Sequence, residues 1–181
     1  MDLFLFDGSP RKRGACNYIA EQLIEKYKDD YNVNYVKLND IGHVGCQGCY
    51  ICKDSGSFCV QKDNLSQILS RLPDSKLIIL LSPNYYNFLS GQVKLFLDRW
   101  FCLRDNKKVS KFKGDTKLFF IVTQGAGNTN YSKPIVDWLK SFAQVYNIKF
   151  YSFIIPNCDR ENFDSARLKL GDLIMNLNMF I

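Results

Sequence analysis

Asp7-Gly8-Ser9-Pro10-Arg11-Lys12-Arg13-Gly14-Ala15-Cys16-Asn17 is the stretch around which the rest of the chain is arranged. It follows the apolar run Leu3-Phe4-Leu5-Phe6 and precedes a helical pattern, so it reads as a strand-to-helix turn. Backbone N–H groups at a helix start lack intrahelical partners and carry the positive end of the helix dipole, so such turns bind anions. Gly8 and Gly14 allow backbone shapes closed to other residues, Ser9 adds a hydroxyl, and Arg11, Lys12 and Arg13 add charge. The turn is no P-loop, because the Gly-Lys-Ser/Thr ending is absent. Its rival reading is an ordinary βα turn with a solvated basic tip.

Outward from this turn, apolar residues at Ile19, Ala20, Leu23, Ile24 and Tyr27 predict a helix over Asn17–Lys28. Val33–Leu38 alternates as a half-exposed edge strand does. Asn39–Lys62 has no period and reads as a long functional loop or small lobe. Asp63 offers an N-cap for a short helix carrying Leu65, Ile68, Leu69 and Leu72, stopped by Pro73. Leu77–Leu81 and Leu118–Val122 are continuously apolar, as central strands buried on both faces are, and Phe150–Ile155 is the last strand. Helical stripes run through Val93, Phe96, Leu97 and Trp100, then Ile135, Trp138, Leu139 and Phe142 after Pro134, and finally Leu170, Leu173, Ile174 and Leu177. Strands alternating with helices predict an α/β fold: one domain over 1–181 with a doubly wound five-stranded parallel sheet. In the strand order 2-1-3-4-5, ligands bind at the switch point between strands one and three, where Ser9–Asn17 meets Ser82–Ser90.

Composition narrows the classes. With 46% hydrophobic and 23% charged residues the chain reads as an ordinary globular protein. No apolar stretch approaches the roughly 18 residues of a membrane span, and Met-Asp-Leu-Phe lacks the basic start of a signal peptide, so no membrane and a cytoplasmic setting are expected. The net charge of +6 comes from dispersed basic residues, dense only at Arg11–Arg13 and in the expected loop Lys107–Lys113, so nucleic acid is not expected as a partner. Gly125-Ala126-Gly127-Asn128-Thr129-Asn130 fails as a dinucleotide fingerprint, because Asn130 stands where the third glycine belongs and no acid lies near Asn147.

Seven cysteines, an odd number, argue against a complete disulfide framework. Cys46, Cys49, Cys52 and Cys59 lie within fourteen residues, at spacings that bring three thiolates into one tight loop and let a fourth return, as a [4Fe–4S] cluster requires. Zinc usually takes two separated Cys-x2–4-Cys knuckles, and thiols without metal are the third reading.

Gly8-Ser9-Pro10-Arg11-Lys12-x-Gly14, Cys46-x-Gly48-Cys49-x-x-Cys52, Cys59-x-x-Lys62-Asp63, Ser82-Pro83-x-Tyr85 and Gly91-Gln92-Val93-Lys94-x-Phe96-x-Asp98-Arg99 together resemble the flavodoxin-like NAD(P)H-dependent FMN reductases. Within them they look most like the iron–sulfur flavoprotein branch. The resemblance runs in order from about Leu3 to Arg99. It implies FMN as cofactor, its phosphate held by Ser9, Arg11 and the turn through Gly14, Ala15 and Cys16. Ser82, Pro83, Asn84, Tyr85, Tyr86 and Asn87 would run along the flavin ring, and Thr123 to Gly125 would form a third wall. The family usually has Gly-Asn-Thr where this chain has Gly14-Ala15-Cys16; Asn17 or Arg13 is the expected substitute for the missing phosphate donors. The resemblance further implies NAD(P)H as electron donor, a homodimer or homotetramer, and a ferredoxin-like electron partner where a cluster is present. The expected function is flavin-dependent electron transfer, with the cluster coupling one-electron to two-electron chemistry. A cluster-free FMN/quinone reductase is the alternative, and a non-enzymatic flavodoxin-type carrier or a zinc-bearing binding module is a further one.

Other residues receive blander readings. Trp100 completes a helical stripe and reads as core, Asp98 and Arg99 as a structural pair at a helix end, and His43, without an acid or nucleophile beside it, as a loop residue.

Overall fold

The structure, a computed structural model, describes residues 1–180. Strands β1 (Asp2–Asp7), β2 (Asn32–Lys37), β3 (Leu77–Pro83), β4 (Lys117–Thr123) and β5 (Lys149–Ile155) form one sheet. The order is β2-β1-β3-β4-β5 and every pairing is parallel, as the alternation of elements requires. Helices α1 (Ala15–Tyr27), α2 (Ile51–Asp54), α3 (Asn64–Arg71), α4 (Gly91–Arg99), α5 (Lys133–Val145), α6 (Asp164–Leu168) and α7 (Leu170–Asn178) complete it.

The unbroken apolar runs of the inner strands are explained by two cores, one on each face. Successive side chains leave a strand on opposite sides. Phe4, Phe6, Ile78, Leu80, Leu118 and Phe120 therefore face α3, α4 and α5, through Leu65, Leu69, Val93, Phe96, Ile135 and Leu139. Leu3, Leu5, Ile79, Leu81, Phe119 and Ile121 face α1 and α7, through Ile19, Leu23, Leu173 and Leu177. The edge strands β2 and β5 are half exposed, in keeping with their mixed composition. Trp100 is fully buried, with the rings of Phe96, Phe112, Phe142 and Tyr146 around it at 5.4–5.7 Å between centroids, so it is core.

Three local expectations change. The first helix starts at Ala15 rather than Asn17, capped by Gly14. The Asn39–Lys62 segment is not wholly irregular, since it contains the single turn α2 around Cys52. The closing helix is α7 as its stripe predicts, but a short helix that the pattern did not mark, α6, precedes it, with Lys169 between them. No helix among the described residues is long and apolar enough to cross a membrane.

Candidate functional site

A cavity of about 240 Å3 opens at the carboxyl edge of the sheet, where β1, β3, β4 and β5 each pass into a turn. The turns are bonded in series: Gly8 N–H donates to Leu81 O (2.9 Å), Asn84 N–H to Thr123 O (2.7 Å), Gln124 N–H to Ile155 O (3.0 Å) and Cys158 N–H to Gln124 O (2.8 Å). The Ser90 hydroxyl, which caps α4, donates to Gly8 O at 2.7 Å and ties the first turn to the second. Gly8 is required there: a Cβ would lie 2.0 Å from Val93 Cγ2 and 2.8 Å from Leu81 O. Gln124 holds the third turn, its amide donating to Ala126 O (2.7 Å) and Asn128 O (2.8 Å).

Asp7 organises the first turn from beneath. It is fully buried and accepts from Ser9 N–H (2.8 Å), Asn17 Nδ2 (3.0 Å), Tyr35 OH (3.3 Å) and Lys37 Nζ (3.1 Å). Burial and the Asp7 charge push the Tyr35 phenol up from its usual range. Ser9 Oγ accepts from Arg11 N–H at 3.2 Å, which closes the turn, and Cys16 Sγ lies 3.4 Å from Thr123 Oγ1, joining the first turn to the third. Burial, with Asp7 acting in the same direction, pushes the Cys16 thiol up to about 12, so it stays neutral. The first turn of α1 has no acidic residue and no side-chain cap, so its N–H groups are left for a ligand.

Of the residues singled out from the sequence, Ser9, Arg11, Gly14, Ala15, Cys16, Pro83, Asn84, Tyr85, Thr123 and Gly125 line this cavity. Asn17, Ser82, Tyr86 and Asn87 do not. Asn17 gives its amide N–H to Asp7, which corrects the expectation that it substitutes for a phosphate donor, and Arg13 does not reach the wall either. Ser82 is buried as a latch, accepting from Ser90 N–H at 3.1 Å and donating to Pro83 O at 2.9 Å. Tyr86 and Asn87 are the two tip residues of a tight hairpin closed by Tyr85 and Phe88, both with positive φ, and Tyr86 stands wholly in solvent. Gln124, Cys158, Asp159 and Arg160 also line the cavity, the last three from the turn after β5, which no motif marked. Only the strand order points to that turn, since it ends a strand on the ligand edge of the sheet.

The other chemistry-bearing region lies at the far end of α4. Cys46, Cys49, Cys52 and Cys59 line one small cavity together with Arg99, Phe101 and Cys102. Cys46 and Cys49 are exposed, Cys52 and Cys102 are buried, and all seven cysteines are free thiols. The cavity offers about 20 Å3, room for about one water, and no three His, Cys, Asp or Glu among the described residues are grouped to hold a metal ion. Thus the donor set suits a cluster, whereas the enclosed space does not. Arg99 walls this cavity and is held from behind: its Nη1 donates to Asp63 Oδ2 (2.7 Å) and Val44 O (2.8 Å), and Nη2 to Ser66 Oγ (2.7 Å). Asp98 pairs instead with Lys94 at 2.6 Å, which corrects the expected Asp98–Arg99 pair. His43 lines neither cavity, and burial lowers its pKa.

The profile of the NADPH-dependent FMN reductase family matches residues 1–161. The chain belongs to this family. An iron–sulfur flavoprotein of Methanocaldococcus jannaschii is 28% identical over 156 residues, covering 82% of this chain and 74% of that one. An iron–sulfur flavoprotein of Archaeoglobus fulgidus is 31% identical over 93 residues, covering 51% of this chain and 42% of the relative, so the chain spans less than half of that protein. In fold, it is similar to an NAD(P)H:quinone oxidoreductase from Methanothermobacter marburgensis, with a TM-score of 0.76, 12% identity, and coverage of 95% and 94%. As a member of the FMN reductase family the protein is a flavin-dependent, FMN-binding oxidoreductase. The edge cavity suits the family's cofactor in its chemistry: uncapped N–H groups, Arg11, Arg160 and a neutral thiol set two cations against the single acid of the wall, Asp159, where a phosphate would sit.

Proposed function

We propose that the protein takes hydride from NAD(P)H on FMN held in the four-turn cavity and passes the electrons to a quinone-class acceptor. The observation that carries this is the α1 start, whose free N–H groups and lack of first-turn acids meet Arg11 in one cavity wall at the switch point of the sheet. In this reading Ser9, Arg11, Gly14, Ala15 and Cys16 receive the cofactor phosphate, while Pro83, Asn84, Tyr85, Thr123 and Gly125 flank its ring. FMN, when bound, supplies the hydride chemistry. The chain's own contribution is to orient it through turns already bonded to one another, and to offer backbone N–H donors where negative charge accumulates. The same reading takes in a homodimer or homotetramer in a reducing cytoplasm, where seven free thiols persist.

A second reading adds a [4Fe–4S] cluster and a ferredoxin-like partner. One observation favours it: the four motif cysteines line a single cavity. Relatives named iron–sulfur flavoprotein support it. The small enclosed space counts against it, and the principal reading makes no use of it.

Anaerobic purification with flavin, iron, sulfide and zinc assays on one sample separates these readings. Flavin without metal, with NAD(P)H oxidation by an added quinone, is the expected result. About four irons per chain, lost in Cys49→Ser, would establish the cluster. Absence of flavin binding would overturn both readings.

A further inference from the structure

Resting on the reading of the edge cavity as a flavin site, we infer that Arg160, in the turn after β5, acts with Arg11 as the cationic half of a phosphate monoester site. The first turn offers few side-chain donors of its own. Ala15 has none, the Asn17 amide is held by Asp7 and Cys16 faces Thr123, so Ser9, whose oxygen accepts from Arg11 N–H, is the cavity-lining residue of this turn that keeps a hydroxyl proton to give. Beside that hydroxyl and the backbone N–H groups, the positive side chains on the wall belong to Arg11 and Arg160.

The fold brings these two together from opposite ends of the chain. Arg11 Nη1 donates to Asp159 O at 3.3 Å, which fixes the turn after β5 against the turn after β1. Asp159, the one acid on the wall, spends its carboxylate on its own turn, accepting from Glu161 N–H (2.8 Å) and Asn162 N–H (2.7 Å). These bonds hold its pKa below the usual range. Arg160 sits at the tip of the turn so formed, and it makes no ion pair or side-chain hydrogen bond among the described residues. An exposed arginine without a partner among the described residues, lining the cavity beside Arg11 and a helix start, suits a dianion such as a phosphate monoester. Two ligands of this enzyme class carry such a group: FMN at its 5′ end and NADPH at its 2′ position. Because two cationic side chains take part in the recognition, binding is salt-sensitive.

The test compares the full-length wild type with Arg160→Gln and Arg160→Lys. Dissociation constants for FMN and riboflavin are read by flavin fluorescence at two salt concentrations, and KM is measured for NADPH and NADH. Arg160→Gln is expected to weaken FMN about tenfold, as loss of one charge-assisted contact does, with riboflavin unchanged and a shallower salt dependence. Arg160→Lys should recover part of the loss. A rise in KM for NADPH but not NADH, with FMN unaffected, would assign the same phosphate chemistry to the nucleotide. Equal behaviour of wild type and Arg160→Gln toward all four ligands would overturn the inference while leaving the flavin site standing. Failure of the wild type to bind any flavin would instead overturn the site reading and this inference with it.

Discussion

The turns at the carboxyl edge of the sheet and the cysteine loop both lie outside the regular elements, but they are held by different means. Each edge turn is bonded backbone to backbone with the next, so four segments distant in sequence act as one frame. The cysteine loop bonds mainly within itself and is clasped by cations reaching its carbonyl groups or tying it to its neighbours. Arg99 donates to Val44 O, Lys111 to Gly56 O and Ser57 O, and Lys53 from within the loop to Phe101 O and Arg104 O. A frame extending a sheet ladder is set before any ligand arrives. A loop clasped by side chains is as firm as those clasps, and it can open where they release. The difference separates a site ready for a cofactor from one whose thiols leave room for about one water.

The comparison breaks most visibly at Arg99. Its side chain is fully buried against Asp63, so Arg99→Ala leaves a carboxylate largely removed from water without its partner. A loss of about 4 kcal/mol in urea unfolding is expected, together with faster proteolysis confined to 39–62 and little change in flavin affinity. Flavin affinity falling in step with stability would show that the two regions are one cooperative unit.

Gly8→Ala attacks the frame itself. The added methyl meets Val93 and the Leu81 carbonyl, so about 3 kcal/mol of stability should go, and flavin binding should fall with it. Retained flavin affinity would mean that the first turn is less preset than its bonds suggest.

A pH titration sharpens the contrast. Burial alone would raise the Asp63 carboxyl, but Arg99 and Ser66 outweigh it and hold the pKa at about 2, against 3.8 for the free group. A carboxyl depressed on folding contributes stability above its unfolded pKa, and that contribution is lost as pH falls through the folded one. About 2 kcal/mol should therefore disappear between roughly pH 4 and pH 2 in acid unfolding, and Asp63→Asn should flatten this step. The smallest effect belongs to Lys111→Met, which releases one clasp on Gly56 and Ser57. Less than about 1 kcal/mol of stability should be lost, with hydrogen exchange rising only around α2.

Much of the fold was legible because it depends on local pattern. Leu77–Leu81 shows no alternation since both of its faces are covered, and that alone marks a central strand. Asp63 was legible as an N-cap, and it accepts from Ser66 N–H at 2.9 Å. Its pairing with Arg99 was not, because adjacent helix residues such as Asp98 and Arg99 point about 100° apart and the true partner lies 36 positions earlier.

What the sequence by itself determined is the order of strands and helices, the glycine-bounded turn after β1, and the clustering of four cysteines in one loop. All three are written over a few neighbouring residues, where period, capping and turn chemistry act. Tertiary structure alone decided that Cys16 meets Thr123 and that Arg160 joins Arg11 on one wall. It also decided that Tyr86 stands clear of the site and that the cysteines leave little room between them. These outcomes depend on which ends of the chain the parallel crossovers bring to the same sheet edge, and no local pattern encodes that distance.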